Sequence, residues 1–169
     1  ALLELNCSNN QLSVLPNLPA QVIEVACSSN NLFSLPALPP TLKILECAGN
    51  NLLTLPLLPV GLRELDCSFN SGLAVPLFPD SLRRLLCSNN SWTSLASLPD
   101  SLEWLFAHSN QMNVLPVLPQ GLLRLTIYNN PLTSGLPSLP ASLTVLLASN
   151  CNLTSLPTLP SNLFQLVCS

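Results

Sequence analysis

The sequence predicts a solenoid, a parallel sheet of short stacked strands joined by extended, non-helical return arms. Three observations predict it. The 169-residue chain repeats itself with a period of 20, two prolines stand three apart in nearly every copy, and one asparagine recurs at a fixed place. Repetition at this period marks a one-dimensional stack, in which no copy buries its apolar side chains alone and neighbours complete the core.

The unit reads LxxLxCxxNxLxxLPxLPxx and opens at Leu2, Val22, Leu42, Leu62, Leu82, Leu102, Leu122 and Leu143. Seven copies are 20 residues long, and the copy from Leu122 to Ser142 has 21, its extra residue lying near Ser134 and Gly135. A ninth copy opens at Leu163 and runs to Ser169. The expectation is one domain over residues 1–169, with eight full repeats and a partial ninth.

Each element of the unit has a physical reading. In LxxLxC, side chains alternate between core and solvent, the period of a strand. In-register stacking at about 4.8 Å per copy gives a concave face roughly 40 Å long over eight steps. The asparagine eight places after the opening residue turns the chain off the strand, and its amide bonds the backbone groups that the turn leaves unpaired. It stands at Asn10, Asn30, Asn50, Asn70, Asn90, Asn110 and Asn130, and Cys151 takes its place in the eighth copy as a weaker donor. In LPxLP two prolines remove donors and fix φ, which excludes helix and favours polyproline-like chain. Its leucines are expected to point inward and its prolines to line the convex back. The fourth copy varies this arm to VPLFP and the fifth to LASLP. Trp92 and Met112 replace the leucine two places after the asparagine and are expected in the core.

Composition narrows the function. Charged residues make up 8% of the chain, against about a quarter in an average domain, and the net charge of −3 comes with no basic run. That excludes a phosphate-binding surface and hence nucleic acid as the expected partner. Prolines and asparagines interrupt every apolar run, so no membrane-spanning segment is expected, and no signal peptide is visible at the N-terminus.

The 20-residue unit with its paired LPxLP arm resembles the bacterial class of leucine-rich repeat found in secreted effectors of Gram-negative pathogens, the YopM and IpaH group. The resemblance covers essentially the whole chain. It implies a leucine-rich repeat solenoid whose concave face binds host or partner proteins, in a secreted or extracellular setting. The IpaH group adds a separate ubiquitin-ligase domain, which these repeats do not include. Two further departures are the cysteine where the class usually has Val or Leu and, as an expectation, no helical cap before Leu2, which already opens a repeat.

Cys7, Cys27, Cys47, Cys67, Cys87 and Cys168 share one repeat position, filled elsewhere by Ala107, Ile127 and Ala148. The substitutes identify a small apolar slot, in which free cysteine behaves as a small hydrophobe. Disulfides between neighbouring rungs and a metal site are the alternatives. Zinc needs four convergent ligands, usually with close CxxC pairs, whereas these residues form a row. Parallel rungs hold Cβ atoms about 4.8 Å apart, beyond usual disulfide spacing. No metal or cofactor is expected. Sequons stand at Asn6, Asn89 and Asn152.

Function is then read from the outward slots, two, four and six places after the opening residue. On the first four strands they hold an acidic patch of Glu4, Glu24, Glu46, Glu64 and Asp66, with no cation. From the fifth strand onward they hold Leu86, Trp104, Phe106, Tyr128, Val145 and Leu147, with Arg84, Arg124 and His108. Aromatic residues edged by arginine are the composition of interface hot spots. The expected partner is a protein with a basic end and an apolar anchor.

No catalytic residues are expected. His108 is the sole histidine, and its row offers Ser88 and Tyr128 but no carboxylate to orient the ring. Glu46, Glu64 and Asp66 fall about 5 Å apart on neighbouring strands, but an open face cannot tune a general acid. No GxGxxG, Walker or HExxH motif occurs. The competing reading is a structural protein that assembles end to end with copies of itself, through exposed strand edges.

Overall fold

The computed structural model describes all 169 residues and contains nine strands of three residues each, without a helix. They are β1 (Glu4–Asn6), β2 (Glu24–Ala26), β3 (Ile44–Glu46), β4 (Glu64–Asp66), β5 (Arg84–Leu86), β6 (Trp104–Phe106), β7 (Arg124–Thr126), β8 (Val145–Leu147) and β9 (Gln165–Val167). All nine form one parallel sheet in chain order. Pairing is in register throughout, with Leu45 opposite Leu65 and Leu105 opposite Leu125. The 21-residue copy keeps that register, since Leu125 still faces Leu146. Its extra length is taken up on the return side, where Gly135 adopts φ +75° and a Cβ built on it meets nothing within 4 Å.

Each strand from β2 to β9 is entered through a turn that begins at the second proline of the preceding arm. Leu42 N–H donates to Pro39 O at 3.1 Å and Leu102 N–H to Pro99 O at 3.0 Å, and the bond recurs at each opening residue from Val22 to Leu163. The expectation that both prolines line the convex back is therefore corrected. Pro39, Pro59, Pro99, Pro119 and Pro140 are buried, because each stands at the corner where the arm turns into the next strand.

One cluster of 32 buried residues runs the length of the stack. Leu42, Leu45, Leu62, Leu65, Leu82 and Leu85 are inaccessible, and Trp92 and Met112 are buried with them. Cys27, Cys47, Cys67 and Cys87 form a buried row continued by Ala107, Ile127 and Ala148. All seven cysteines are free thiols, with Cys7 half-buried and Cys168 exposed at the two ends of the row. Loss of hydration disfavours thiolate, so burial pushes Cys27 up to about 12 and holds Cys47 and Cys67 well above the ordinary thiol range.

The asparagine ladder binds copy to copy. Asn50 Nδ2 donates to Cys27 O and Cys47 O, both at 3.1 Å, and its Oδ1 accepts the Leu32 N–H at 3.0 Å. One amide thus satisfies backbone groups of two successive copies. Cys151 keeps half of this role. Its Sγ donates to Ile127 O at 3.2 Å, but its side chain has no oxygen to accept the Leu132 N–H, which donates to the backbone at Asn130 O (2.8 Å) and Cys151 O (3.1 Å). A second ladder, formed by the residue before the opening leucine, was not read from the sequence. Thr41, Ser81, Ser101 and Ser142 donate their hydroxyls to Val22 O, Leu62 O, Leu82 O and Leu122 O at 2.6 to 2.8 Å.

The fourth copy departs from the pattern. Gly72 stands where other copies have the inward leucine, and Leu73 is buried in its stead. The asparagine ladder shifts with it, so Asn90 Oδ1 accepts the Asn70 N–H at 2.8 Å. Trp92 in the next copy anchors the change, donating its Nε1–H to Leu73 O at 2.6 Å. The residue before each ladder asparagine has positive φ, which suits Asn9, Asn89, Asn129 and Gly49. In the fourth copy it is Phe69 at φ 55°, a bulky side chain in a left-handed conformation.

Candidate binding face on the concave sheet

Two rows of outward side chains meet at β5 to β7. Arg84, Trp104 and Arg124 are in register in one row, and Leu86, Phe106 and Thr126 in the next. Strands about 4.8 Å apart place the head of a long cation over the ring on its neighbour. Arg84 Cζ lies 5.2 Å from the Trp104 ring centroid and 5.9 Å from that of Phe106, and Arg124 Cζ lies 5.3 Å from Phe106. Phe106 is thus flanked by two guanidinium groups. In the third row His108 and Tyr128 stack with centroids 4.2 Å apart and planes 8° from parallel. Burial holds the His108 pKa below its usual value, so the ring is neutral at pH 7. His108 Nδ1 lies 3.3 Å from Ser109 Oγ.

The structure brings most of the sequence-selected set together. Trp104 is 40% exposed, whereas Val145 is buried to 5%. Leu86, Phe106, Leu147, Tyr128, His108, Arg84 and Arg124 are half-buried. Beside Trp104 and Phe106 lies a hollow of about 290 Å³, closed by Leu123, Arg124, Thr144 and Val145.

The acidic rows lie on the same face. Glu4 and Glu46 are exposed, and Glu24, Glu64 and Asp66 are half-buried. Arg84 Nη1 sits 3.7 Å from Glu64 Oε2 and joins the acidic region to the aromatic one. Arg124 has no carboxylate partner, since the only other ion pair is Arg83 with Glu103 at 3.0 Å. No three His, Cys, Asp or Glu side chains converge to hold a metal ion. No helix is long and apolar enough to cross a membrane.

Two features escaped the sequence reading. Arg84 Nε, Ser88 Oγ, Arg124 Nε and Thr126 Oγ1 are buried without a hydrogen-bond partner, and no other side-chain nitrogen or oxygen in the molecule is. All four lie in β5 to β7 or just beyond. A period-20 pattern marks these slots as outward and gives no sign that neighbours cover them. The most exposed apolar side chains also lie elsewhere. Leu57 (88%), Val60 (87%) and Leu77 (85%) stand on the convex arms, beside a hollow of about 420 Å³ lined by Leu38, Pro40 and Pro56. That patch offers no charged group to orient a ligand, while the concave face offers several.

Neither family models nor curated proteins match this sequence. Solved structures do. YopM from Yersinia enterocolitica superposes with a TM-score of 0.80 at 34% identity, over 99% of this chain and 42% of that one. A Shigella effector leucine-rich repeat domain matches with a TM-score of 0.72 at 38% identity, over 82% of this chain and 62% of that one. InlJ from Listeria monocytogenes, whose functional domain includes a cysteine ladder, has a TM-score of 0.74 at 27% identity over 92% of this chain and 36% of that one. The chain spans less than two thirds of the length of each. With its nine in-register strands and these likenesses, it is a bacterial-type leucine-rich repeat solenoid.

Proposed function

We propose that the chain is a non-enzymatic protein-binding scaffold that uses its concave face. The observation that carries this is the Arg84–Trp104–Phe106–Arg124 cluster, lying on the same curved sheet as the acidic rows of β1 to β4. Aromatic rings held by stacked arginines lose little conformational freedom on binding, which makes them effective anchors. The complementary partner places a bulky apolar side chain at Trp104 and Phe106 and basic residues over Glu46, Glu64 and Asp66. The likeness to effector repeat domains supports a role in protein interaction.

Selection of a phage-displayed random peptide library on the purified chain tests this reading. Enriched peptides should carry Lys or Arg together with a bulky apolar residue. They should lose binding to Trp104→Ala/Phe106→Ala, whose circular dichroism is unchanged. Equal recovery on the double variant would remove the reading. A second reading is end-to-end self-association of copies of the solenoid through unpaired strand edges. Light scattering that stays monomeric as concentration rises would reject it.

A further inference from the structure

Arg124 differs from the other concave cation. Arg84 is offset by Glu64, whereas Arg124 stands in the outward rows without a carboxylate and borders the hollow beside Trp104 and Phe106. Its Nε–H is buried and donates to nothing, as is also true of Arg84, so the missing carboxylate is what sets Arg124 apart. Thr126, two residues along the same strand and in register with Phe106, is 3% exposed and carries a second unpartnered polar atom. The other two unpartnered buried atoms, Arg84 Nε and Ser88 Oγ, lie on or just beyond β5, and away from this region the buried asparagine amides are satisfied by their ladder. A buried donor without an acceptor is costly, and an arriving anion that accepts from it gains a charge-assisted bond.

We propose that Arg124, with the hollow beside it, is a subsite for a carboxylate attached to an apolar group. The ligand is an acidic side chain or a chain terminus next to a bulky apolar residue. This rests on the concave face being the binding surface and adds direction to it. From β1 to β7 the face runs from carboxylates, through aromatic rings, to a free cation. A bound segment therefore carries basic, apolar and acidic groups in that order along the stack. From β4 to β7 are three strand steps, about 14 Å, which four or so residues of extended chain span.

Three small probes separate the components: 4-phenylbutyrate, its uncharged amide 4-phenylbutanamide, and 4-phenylbutylamine. Binding is followed by NMR at the Trp104 Nε1–H and Arg124 Nε–H signals. The carboxylate should bind roughly 3- to 10-fold more tightly than the amide, a preference that added salt weakens. Arg124→Gln should abolish the preference, while Arg84→Gln should keep it. If carboxylate and amide bind equally, the face is an apolar binder without an anion subsite, and this inference fails while the binding-face reading stands. If neither perturbs the two signals, both fail. If Arg124→Gln keeps the preference while Arg84→Gln removes it, the subsite belongs to Arg84 and the assignment is overturned.

Discussion

The buried ladders and the concave face come from the same nine strands, yet they obey opposite rules. In the asparagine ladder most copies repeat their neighbour: Asn50, Asn70 and Asn110 each donate to carbonyls of two successive copies. On the concave face adjacent copies vary: Glu4 and Glu24 match in the first slot, but Glu64 is followed by Arg84, Trp104 and Arg124. A gap in the asparagine ladder is costly, because it leaves one buried N–H without its acceptor and takes one of two donors from a carbonyl on each side. An outward slot carries no such cost. The molecule thus separates what holds it together from what distinguishes it.

The sharpest way to break that separation is to damage the ladder. Asn50→Ala removes the acceptor for Leu32 N–H and the donors to Cys27 O and Cys47 O. Leu32 N–H is then orphaned at about 1–3 kcal/mol, while Cys27 O and Cys47 O keep Asn30 and Asn70 as donors and lose about 0.5–1.5 kcal/mol each, so the loss should reach roughly 2–5 kcal/mol in a denaturant titration. A loss below about 1 kcal/mol would show that the ladder is dispensable. The same titration on Trp104→Ala/Phe106→Ala should shift stability by only about 1 kcal/mol or less.

The cysteine row predicts an alkaline limit. In the unfolded chain a thiol releases its proton near 9.0, whereas Cys27 holds it up to about 12 in the fold. The native state therefore binds more protons in that window, and stability falls as pH rises through it. Below pH 9 the contribution is intact. Melting temperatures measured from pH 7 to 11 should be level and then decline. Cys47→Ala should soften the decline at a cost of about 1 kcal/mol at neutral pH, since Ala107 already fills the same slot. A flat profile would mean that the thiols ionise freely in the fold. The last effect concerns Phe69, whose side chain is exposed and whose φ is 55°. Phe69→Asn should stabilise by about 1 kcal/mol, because asparagine tolerates this conformation. No gain would show that Phe69 makes a compensating contact.

The sequence reading was strongest where the repeat was strict. A leucine every 20 residues places β1 to β9, and the Ala107 and Ile127 substitutes identify the cysteine slot as core. It was weaker where one residue served two purposes. Pro39 and Pro59 are spaced as part of an extended arm, and nothing in that spacing marks them as turn residues. Gly72 breaks the leucine pattern, and only the structure shows that Leu73 takes the buried place and accepts from Trp92. The stacking of Arg84 and Arg124 on Phe106 depends on how long side chains lie across strands, which a periodic pattern leaves open.

The extra residue of the seventh copy has a practical consequence. At Ser134–Gly135 the chain gains length without moving β7 against β8, and open space surrounds the glycine. The seventh return arm is thus a natural splice point, where an affinity tag or a second recognition loop could be inserted while the concave face keeps its spacing. An insertion within a strand, by contrast, would put every later copy out of step.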